Sequence, residues 1–348
     1  MGYRIGFDIG STTIKAVVLD ENNQICYKSY ERHKAQVRQK ALDKLVELKK
    51  YTKEPFKFAI SGSGALGLSE QGELPFVQEV FASATGVSKL YPETDCAIEL
   101  GGEDAKILFF QGSVEQRMNS TCAGGTGAFI DQMATLLNMS LEEMNEASLN
   151  YHRLYPIASR CGVFAKTDIQ PLINQGVDKC DLCASIFQAV VDQTITSLAQ
   201  GRKIEGNILF LGGPLYFMSG LRNRFVETLK LSDVQVNCPD TAINFVALGT
   251  AICADQEYTY DELYKALEDL VHAPAKLTES KPLFESDEDY QKFIERHKSH
   301  DAKFTDLKNY AGKAYLGIDS GSTTTKLVLL DENDAILYDS YTSNKGNP

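Results

Sequence analysis

Residues 8–15 read Asp-Ile-Gly-Ser-Thr-Thr-Ile-Lys, a glycine followed by three hydroxyl side chains between two apolar runs. That pattern suits phosphate. Gly10 lets the backbone approach an oxygen with no Cβ in the way. The hydroxyls of Ser11, Thr12 and Thr13, with successive N–H groups, can cradle phosphate oxygens. Asp8 can hold a magnesium ion, directly or through water. Lys15 either supports the loop or lies on a strand surface. A second glycine turn, Glu99-Leu100-Gly101-Gly102-Glu103-Asp104, falls between two strand-like runs. A third, Leu209-Phe210-Leu211-Gly212-Gly213-Pro214, ends an apolar run ahead of a helix-like stretch and suits an adenosine slot. Ala247-Leu248-Gly249-Thr250-Ala251 opens a final glycine-bearing helix. One glycine turn alone is what any hairpin needs; the weight lies in four of them in this order.

The elements that must carry these turns are of α/β type. Residues 3–8, 14–20 and 24–30 are predicted as strands, with Glu21-Asn22-Asn23 as a turn. A helix follows over 33–50 and a short strand over 56–60. A second strand–turn–strand–turn–strand set is predicted at 95–100, 104–110 and 113–117, so the three-strand opening recurs, as two similar lobes facing a cleft would require. Helices are predicted at 125–137, 163–174, 182–201, 217–229 and 243–254, with a strand at 207–211.

The opening also recurs much further on. Residues 5–30, IGFDIGSTTIKAVVLDENNQICYKSY, match 316–341, LGIDSGSTTTKLVLLDENDAILYDSY, at constant offset, so that Asp8 becomes Asp319 and Lys15 becomes Lys326. Tandem copies of one domain are the physical reading of such a match. The expected organisation is a first repeat over 1–255, a polar helical linker over 256–313, and the start of a second repeat over 314–348. The second copy is short, as a fragment of a longer protein would be.

The 348 residues carry a formal charge of −12. An acidic chain disfavours nucleic acid, which needs a basic face. No basic start followed by an apolar signal region opens the sequence, and no apolar stretch approaches 18 residues, so neither secretion nor a membrane span is expected. The expected place is the cytoplasm, where the eight cysteines are thiols or metal ligands and not disulfides.

With these turns assembled, the chain resembles the actin/sugar-kinase/chaperone superfamily over about residues 3–255. More closely, it resembles the activator ATPases of 2-hydroxyacyl-CoA dehydratases and the ATPase subunits of benzoyl-CoA reductases, in the large tandem form of CoA-substrate-specific enzyme activases. The resemblance implies an actin-like ATPase fold of two ribonuclease-H-like lobes around a nucleotide cleft. It implies ATP and Mg2+ as ligands, with Asp8 and Asp104 organising the metal and the attacking water. Gly10, Ser11, Thr12, Gly101 and Gly102 would then hold the β- and γ-phosphates. Thr13, Lys15, Glu103, Gly125 and Thr126 would belong to the same nucleotide-binding set, and Gly212 and Gly213 would face the adenosine. ATP hydrolysis would be coupled to low-potential electron transfer.

The family's second signature is a pair of cysteines before helices, here Thr121-Cys122-Ala123-Gly124-Gly125-Thr126-Gly127 and Arg160-Cys161-Gly162-Val163. By that resemblance Cys122 and Cys161 ligate one [4Fe–4S] cluster shared across a homodimer. Four thiolates are the usual ligand set, and two per chain leave a two-fold axis to supply the rest. The implied partners are a dehydratase- or reductase-type iron–sulfur protein and a reduced ferredoxin or flavodoxin as donor. Cys180-Asp181-Leu182-Cys183 has no second pair to complete a zinc site and reads as a helix start. Where relatives often carry a histidine, this chain has Ser83, which puts a proton or cluster role for that histidine in doubt here. The five histidines form no constellation. Two rival readings are a sugar or small-acid kinase, which needs no such cysteines, and a non-catalytic nucleotide-binding scaffold.

Overall fold

The chain was analysed as a computed structural model that describes residues 2–119, 124–158, 162–274, 282–298, 300–321 and 323–343. It divides into two units, residues 1–274 and 275–348.

In the first unit, β1 (Arg4–Ile9) and β2 (Thr13–Leu19) pair antiparallel, and β3 (Ile25–Arg32) extends the sheet from β2. Ile5, Phe7, Ile9, Ile14 and Val18 are fully buried. That explains why these two strands read as near-continuous apolar runs. β3 lies at the edge and alternates exposed with half-buried residues over most of its length. After α1 (Val37–Glu47), β4 (Phe56–Ser61) runs parallel to β1, and α2 (Leu66–Gly72) and α3 (Glu79–Leu90) follow.

The pattern then repeats. β5 (Cys96–Leu100), β6 (Ala105–Phe109) and β7 (Glu115–Met118) form an antiparallel set. Four helices follow: α4 (Gly127–Leu137), α5 (Leu141–Ser148), α6 (Gly162–Asn174) and α7 (Lys179–Thr194). β8 (Ile208–Leu211) returns parallel to β5, and α8 (Gly213–Phe217), α9 (Ser219–Leu229) and β9 (Val236–Asn237) complete the lobe. α10 (Phe245–Cys253), β10 (Gln256–Tyr258) and α11 (Tyr260–His272) close the unit. The sheets run β3-β2-β1-β4-β10 and β7-β6-β5-β8-β9. Both lobes therefore share one strand order.

Each lobe has its own core, and a third apolar layer joins them. That layer combines Val17 and Leu19 of the first sheet, Ala97, Leu108 and Leu211 of the second, and Phe245, Leu248 and Ala251 of α10. α10 lies so close on β1 that a Cβ on Gly6 would fall 2.3 Å from the Ala247 carbonyl oxygen.

Two expectations shift. The composition of 256–313 suggests one linker, but β10 pairs with β4, and α11 buries Leu263, Leu267 and Leu270 in the first core. The apolar stripe of α11 and the free edge of β4 both need cover, so the first unit runs on to residue 274. The helical run Lys179–Ala199, α7 continued by a π-turn, spans 21 residues and is apolar enough by composition to cross a bilayer. It is a core helix here: Leu182, Ile186, Phe187, Val190 and Val191 are buried in the second lobe.

The second unit contains α12 (Asp287–Lys298), with no buried residue, and the sheet β11 (Tyr315–Ser320), β12 (Thr324–Leu330) and β13 (Ile336–Ser343), in that order.

Candidate functional site

The first phosphate turn is closed by the Gly10 N–H, which donates to the Thr13 carbonyl at 2.9 Å. The antiparallel register sets Asp8 opposite Lys15, and the two side chains form an ion pair at 2.8 Å. The second lobe copies this. Gly101 N–H donates to the Asp104 carbonyl at 2.7 Å, and Glu99 stands opposite Lys106, 3.6 Å away. The two turns meet across the cleft: Thr12 Oγ1 is 3.4 Å from where a Cβ on Gly102 would sit.

A second pair of turns supports the first. Gly62, after β4, and Gly212, after β8, hold φ of +101° and +87° with ψ of 153° and 162°, a region open to glycine and almost nothing else. A Cβ on Gly62 would lie 2.2 Å from the Ile9 oxygen, and one on Gly212 2.0 Å from the Leu100 oxygen. Each phosphate turn is thus propped by a glycine turn from the neighbouring parallel strand. The start of α4 props the second turn further, because Gly127 and Ala128 donate N–H bonds to the Gly101 and Gly102 carbonyls at 2.9 and 2.8 Å.

The cleft encloses a cavity of about 430 Å³, within the size range of small-ligand sites. Its wall combines polar side chains, among them Asp8, Thr12, Thr13, Lys15, Glu99 and Glu103, with the Gly212–Pro214 turn and the apolar Phe217, Ile243 and Phe245. A phosphate tail fits the first group and a base the second.

Burial tunes the charges. Burial is the largest influence on Glu99 and pushes its carboxyl above the ordinary 4.5, against the pull of Lys106. Burial likewise raises Asp104. Burial acts to lower Lys106, but Glu99 and Glu79 outweigh it and the ammonium is held above its usual range. Lys15 is raised in the same way by Asp8. Lys106 also bonds Glu79 on α3, and Ser83 Oγ donates to Glu99 at 3.2 Å. Ser83 is fully buried, and its hydroxyl steadies the cleft carboxylate.

A magnesium ion fits the first turn. Asp8 is 5% exposed and gives Oδ2 to Lys15; its Oδ1 has no hydrogen-bond partner among the described residues. Ser61 stands beside Asp8 in the parallel register, fully buried, with its Oγ unpartnered. Oxygen donors on one side, with room for phosphate and water on the other, suit this ion.

Of the residues named from sequence, Asp8, Thr12, Thr13, Lys15, Gly101, Gly102, Glu103, Gly212 and Gly213 line the cavity together. Gly10, Ser11, Asp104, Gly125 and Thr126 are not in its wall. Gly10 and Asp104 close turns through their backbone, Gly125 packs on Gln193, and Thr126 is fully buried at the start of α4. Cys122 and Cys161 lie outside the described residues. Cys183 is buried with its Sγ 3.9 Å from Met139 Sδ, and burial pushes its thiol up to about 12. No group of three or more metal-binding side chains occurs among the described residues.

Sequence reasoning missed Glu99 as a site residue, together with Tyr30, Arg32 and His33. Tyr30 and Arg32 share the cavity face of β3, opposite Lys15 and Thr13. Lys15 is occupied by Asp8, whereas Arg32 has no ion-pair partner among the described residues. The period-two alternation of β3 was the available signal.

Two lobes of one topology, with paired acid–lysine turns facing a nucleotide-sized cleft, define an ATPase of the actin-like fold. Residues 5–254 match the BadF/BadG/BcrA/BcrD ATPase family, and the chain belongs to that family. It is 27% identical to the 2-hydroxyisocaproyl-CoA dehydratase activator of Clostridioides difficile, over 75% of this chain and 96% of that one. It is 28% identical to the (R)-2-hydroxyglutaryl-CoA dehydratase activating ATPase of Acidaminococcus fermentans, over 72% and 96%. The solved activator of the 2-hydroxyisocaproyl-CoA dehydratase from Clostridium difficile, with bound ADPNP, superposes with a TM-score of 0.64 at 26% identity, covering 78% of this chain and all of that one.

Proposed function

We propose that this chain is an ATP-driven electron activator, an iron–sulfur ATPase that passes low-potential electrons to a 2-hydroxyacyl-CoA dehydratase- or benzoyl-CoA reductase-like partner. The observation that carries the reading is the cavity between two matching acid–lysine turns, in a chain whose relatives are named dehydratase activators.

Hydrolysis of ATP needs positioning and electrostatics more than covalent chemistry. The turns at Gly10–Thr13 and Gly101–Gly102 hold the β- and γ-phosphates from opposite sides. Asp8, with Ser61 beside it, holds magnesium, which neutralises phosphate charge when bound. Glu99 faces Asp8 across the cleft and orients the attacking water, supported by Ser83 and Lys106; Asp104 adds negative field from the turn behind it. Arg32 offers its guanidinium to the phosphates. The adenosine lies against Gly212, Gly213 and Phe217.

Cys122 and Cys161 would supply the thiolates for one [4Fe–4S] cluster per homodimer, a group that would provide low-potential electron transfer when bound. Support comes from sequence position, since α4 and α6 begin shortly after them, and a helix N-terminus favours thiolate. Reduced ferredoxin or flavodoxin is the donor, and the cytoplasm is the place of action. The second unit opens a second copy of the same domain.

The deciding test is anaerobic purification followed by iron analysis, visible absorbance and a Mg-ATPase assay. Cys122→Ser or Cys161→Ser is expected to lose iron and absorbance yet keep ATP binding. Iron that instead follows a Cys180→Ser/Cys183→Ser double variant, or protein that holds no iron after reconstitution, removes the electron-activator reading and leaves an ATPase.

A further inference from the structure

We propose that His33 is a positioning residue for ATP hydrolysis, whose neutral ring clasps the first phosphate turn from behind and fixes the direction of its N–H donors. The inference rests on the nucleotide reading of the cleft and adds a residue that no glycine motif points to.

His33 follows β3 directly and is 3% exposed. Its Nε2 lies 3.0 Å from the Gly10 carbonyl oxygen. A carbonyl only accepts, so Nε2 carries the proton. The Ala35 N–H donates to Nδ1 at 3.2 Å, so Nδ1 presents its lone pair. Both contacts are satisfied together by one form only, the neutral ring protonated on Nε2. The His33 N–H donates to the Thr12 carbonyl at 3.2 Å. Ring and backbone of one residue therefore hold both sides of the turn.

The local chain is bent to allow this. Lys34 and Ala35 have φ of 48° and 62°, two successive left-handed residues, neither of them glycine. Such a conformation persists only where surrounding contacts enforce it. The Ala35 N–H bond to Nδ1 is one such contact.

The consequence for the turn follows from peptide planarity. The Gly10 carbonyl is enclosed between His33 Nε2 and Gly64, whose Cβ position would be 2.9 Å from that oxygen. In a trans peptide the carbonyl and the next N–H point to opposite edges, so the Ser11 N–H is turned away from the lobe interior. The Gly10 N–H is already spent on Thr13. Fastening one carbonyl thus decides which donors the turn presents to an anion.

The test uses the full chain, purified anaerobically, with ring ¹⁵N NMR and steady-state Mg-ATPase kinetics. The His33 signal, assigned by its loss in His33→Gln, is expected to show the Nε2–H tautomer. His33→Phe keeps ring volume without the donor and is expected to raise KM for Mg-ATP about tenfold, the effect of one backbone hydrogen bond, with a melting temperature lower by about 5 °C or less. His33→Gln, whose amide N–H₂ can replace Nε2–H, is expected to recover to within about threefold of wild type on the same basis. An Nδ1–H tautomer, or a wild-type ATPase matched by His33→Phe, overturns the inference alone. Equal losses in Phe and Gln that scale with lost stability reduce His33 to a structural residue and overturn it too. A wild-type chain that binds no Mg-ATP overturns the nucleotide reading and this inference with it.

Discussion

The strand–turn–strand at 4–19 and the one at 315–330 are nearly the same object locally. Gly321 N–H donates to Thr324 at 2.9 Å, as Gly10 does to Thr13, and Lys326 bonds Asp319 at 2.7 Å, as Lys15 bonds Asp8 at 2.8 Å. Their surroundings differ. The Asp8 and Lys15 side chains are 7% and 16% exposed, against 65% and 43% for Asp319 and Lys326. Ile5 and Phe7 are fully buried, while Leu316 and Ile318 are 60% and 64% exposed. Eight residues of sequence specify the turn and its ion pair. They do not specify a site, which also needs β4 with its glycine turn, α10 beneath, and a second lobe to face. Among the described residues of the second unit, no element plays those parts.

The largest test of that contrast is catalytic. Asp8→Asn is expected to lower ATPase turnover by about 100-fold or more, the scale of removing one preorganised electrostatic group, while Asp319→Asn leaves the rate unchanged. Glu99→Gln is expected to fall near Asp8→Asn, and Asp104→Ala to lose less, because Glu99 lines the cavity and Asp104 does not. Steady-state phosphate release measures all four. If Asp319→Asn slows turnover as much as Asp8→Asn, the second turn is a working part of the site and the contrast fails.

The next test is steric. Gly6 and Gly317 occupy equivalent strand positions. A Cβ on Gly6 would meet the Ala247 oxygen and the Ala251 nitrogen at 2.3 Å, whereas one on Gly317 finds its nearest neighbour, the Val328 oxygen, at 3.8 Å. Gly6→Ala must push α10 off β1, at about 2 kcal/mol for an overpacked core. That is a fall in Tm of about 5 °C for a unit of this size. Gly317→Ala is expected to leave Tm alone. Thermal melts of both variants decide it; equal melts would show that α10 yields freely.

These contrasts mark how far sequence reaches. The turns, the repeat and the recurrence of a three-strand opening in each lobe were legible because each depends on a short pattern: an apolar run, a glycine, a hydroxyl or acid. The apolar wall was half legible, since Gly212 and Gly213 announce a turn while Phe217, Ile243 and Phe245 look like any packing residues. Arg32 and His33 carry no motif; the fold gives them their place by laying the edge of β3 beside a turn formed earlier in the chain. The extent of the first unit was misjudged because the polar face of α11 dominates its composition, while Leu263, Leu267 and Leu270 make a narrow buried stripe. Ser83 looked like a lost histidine, and only the fold shows it bonded to Glu99.

The smallest effect expected is a pH slope, and it belongs to the second lobe's copy of the turn. Glu99 is buried where Asp319 is open to water. Burial raises its folded pKa above the ordinary 4.5 despite Lys106 and Ser83. Between 4.5 and that raised value the folded chain binds more protons than the unfolded one, so stability falls as pH rises through the window. The favourable contribution is complete below 4.5 and gone above the folded pKa. One such group changes stability by at most about 1.4 kcal/mol per pH unit. Glu99→Gln has no proton to lose and removes the slope. Denaturant titrations from pH 4.5 to pH 8 are therefore expected to show the variant gaining on wild type as pH rises, then running parallel. Curves parallel throughout would mean that Lys106 compensates the Glu99 charge fully. In that case the two lobes would hold their acids on equal terms, and burial in the cleft would set no cost on the carboxylate proposed to orient water.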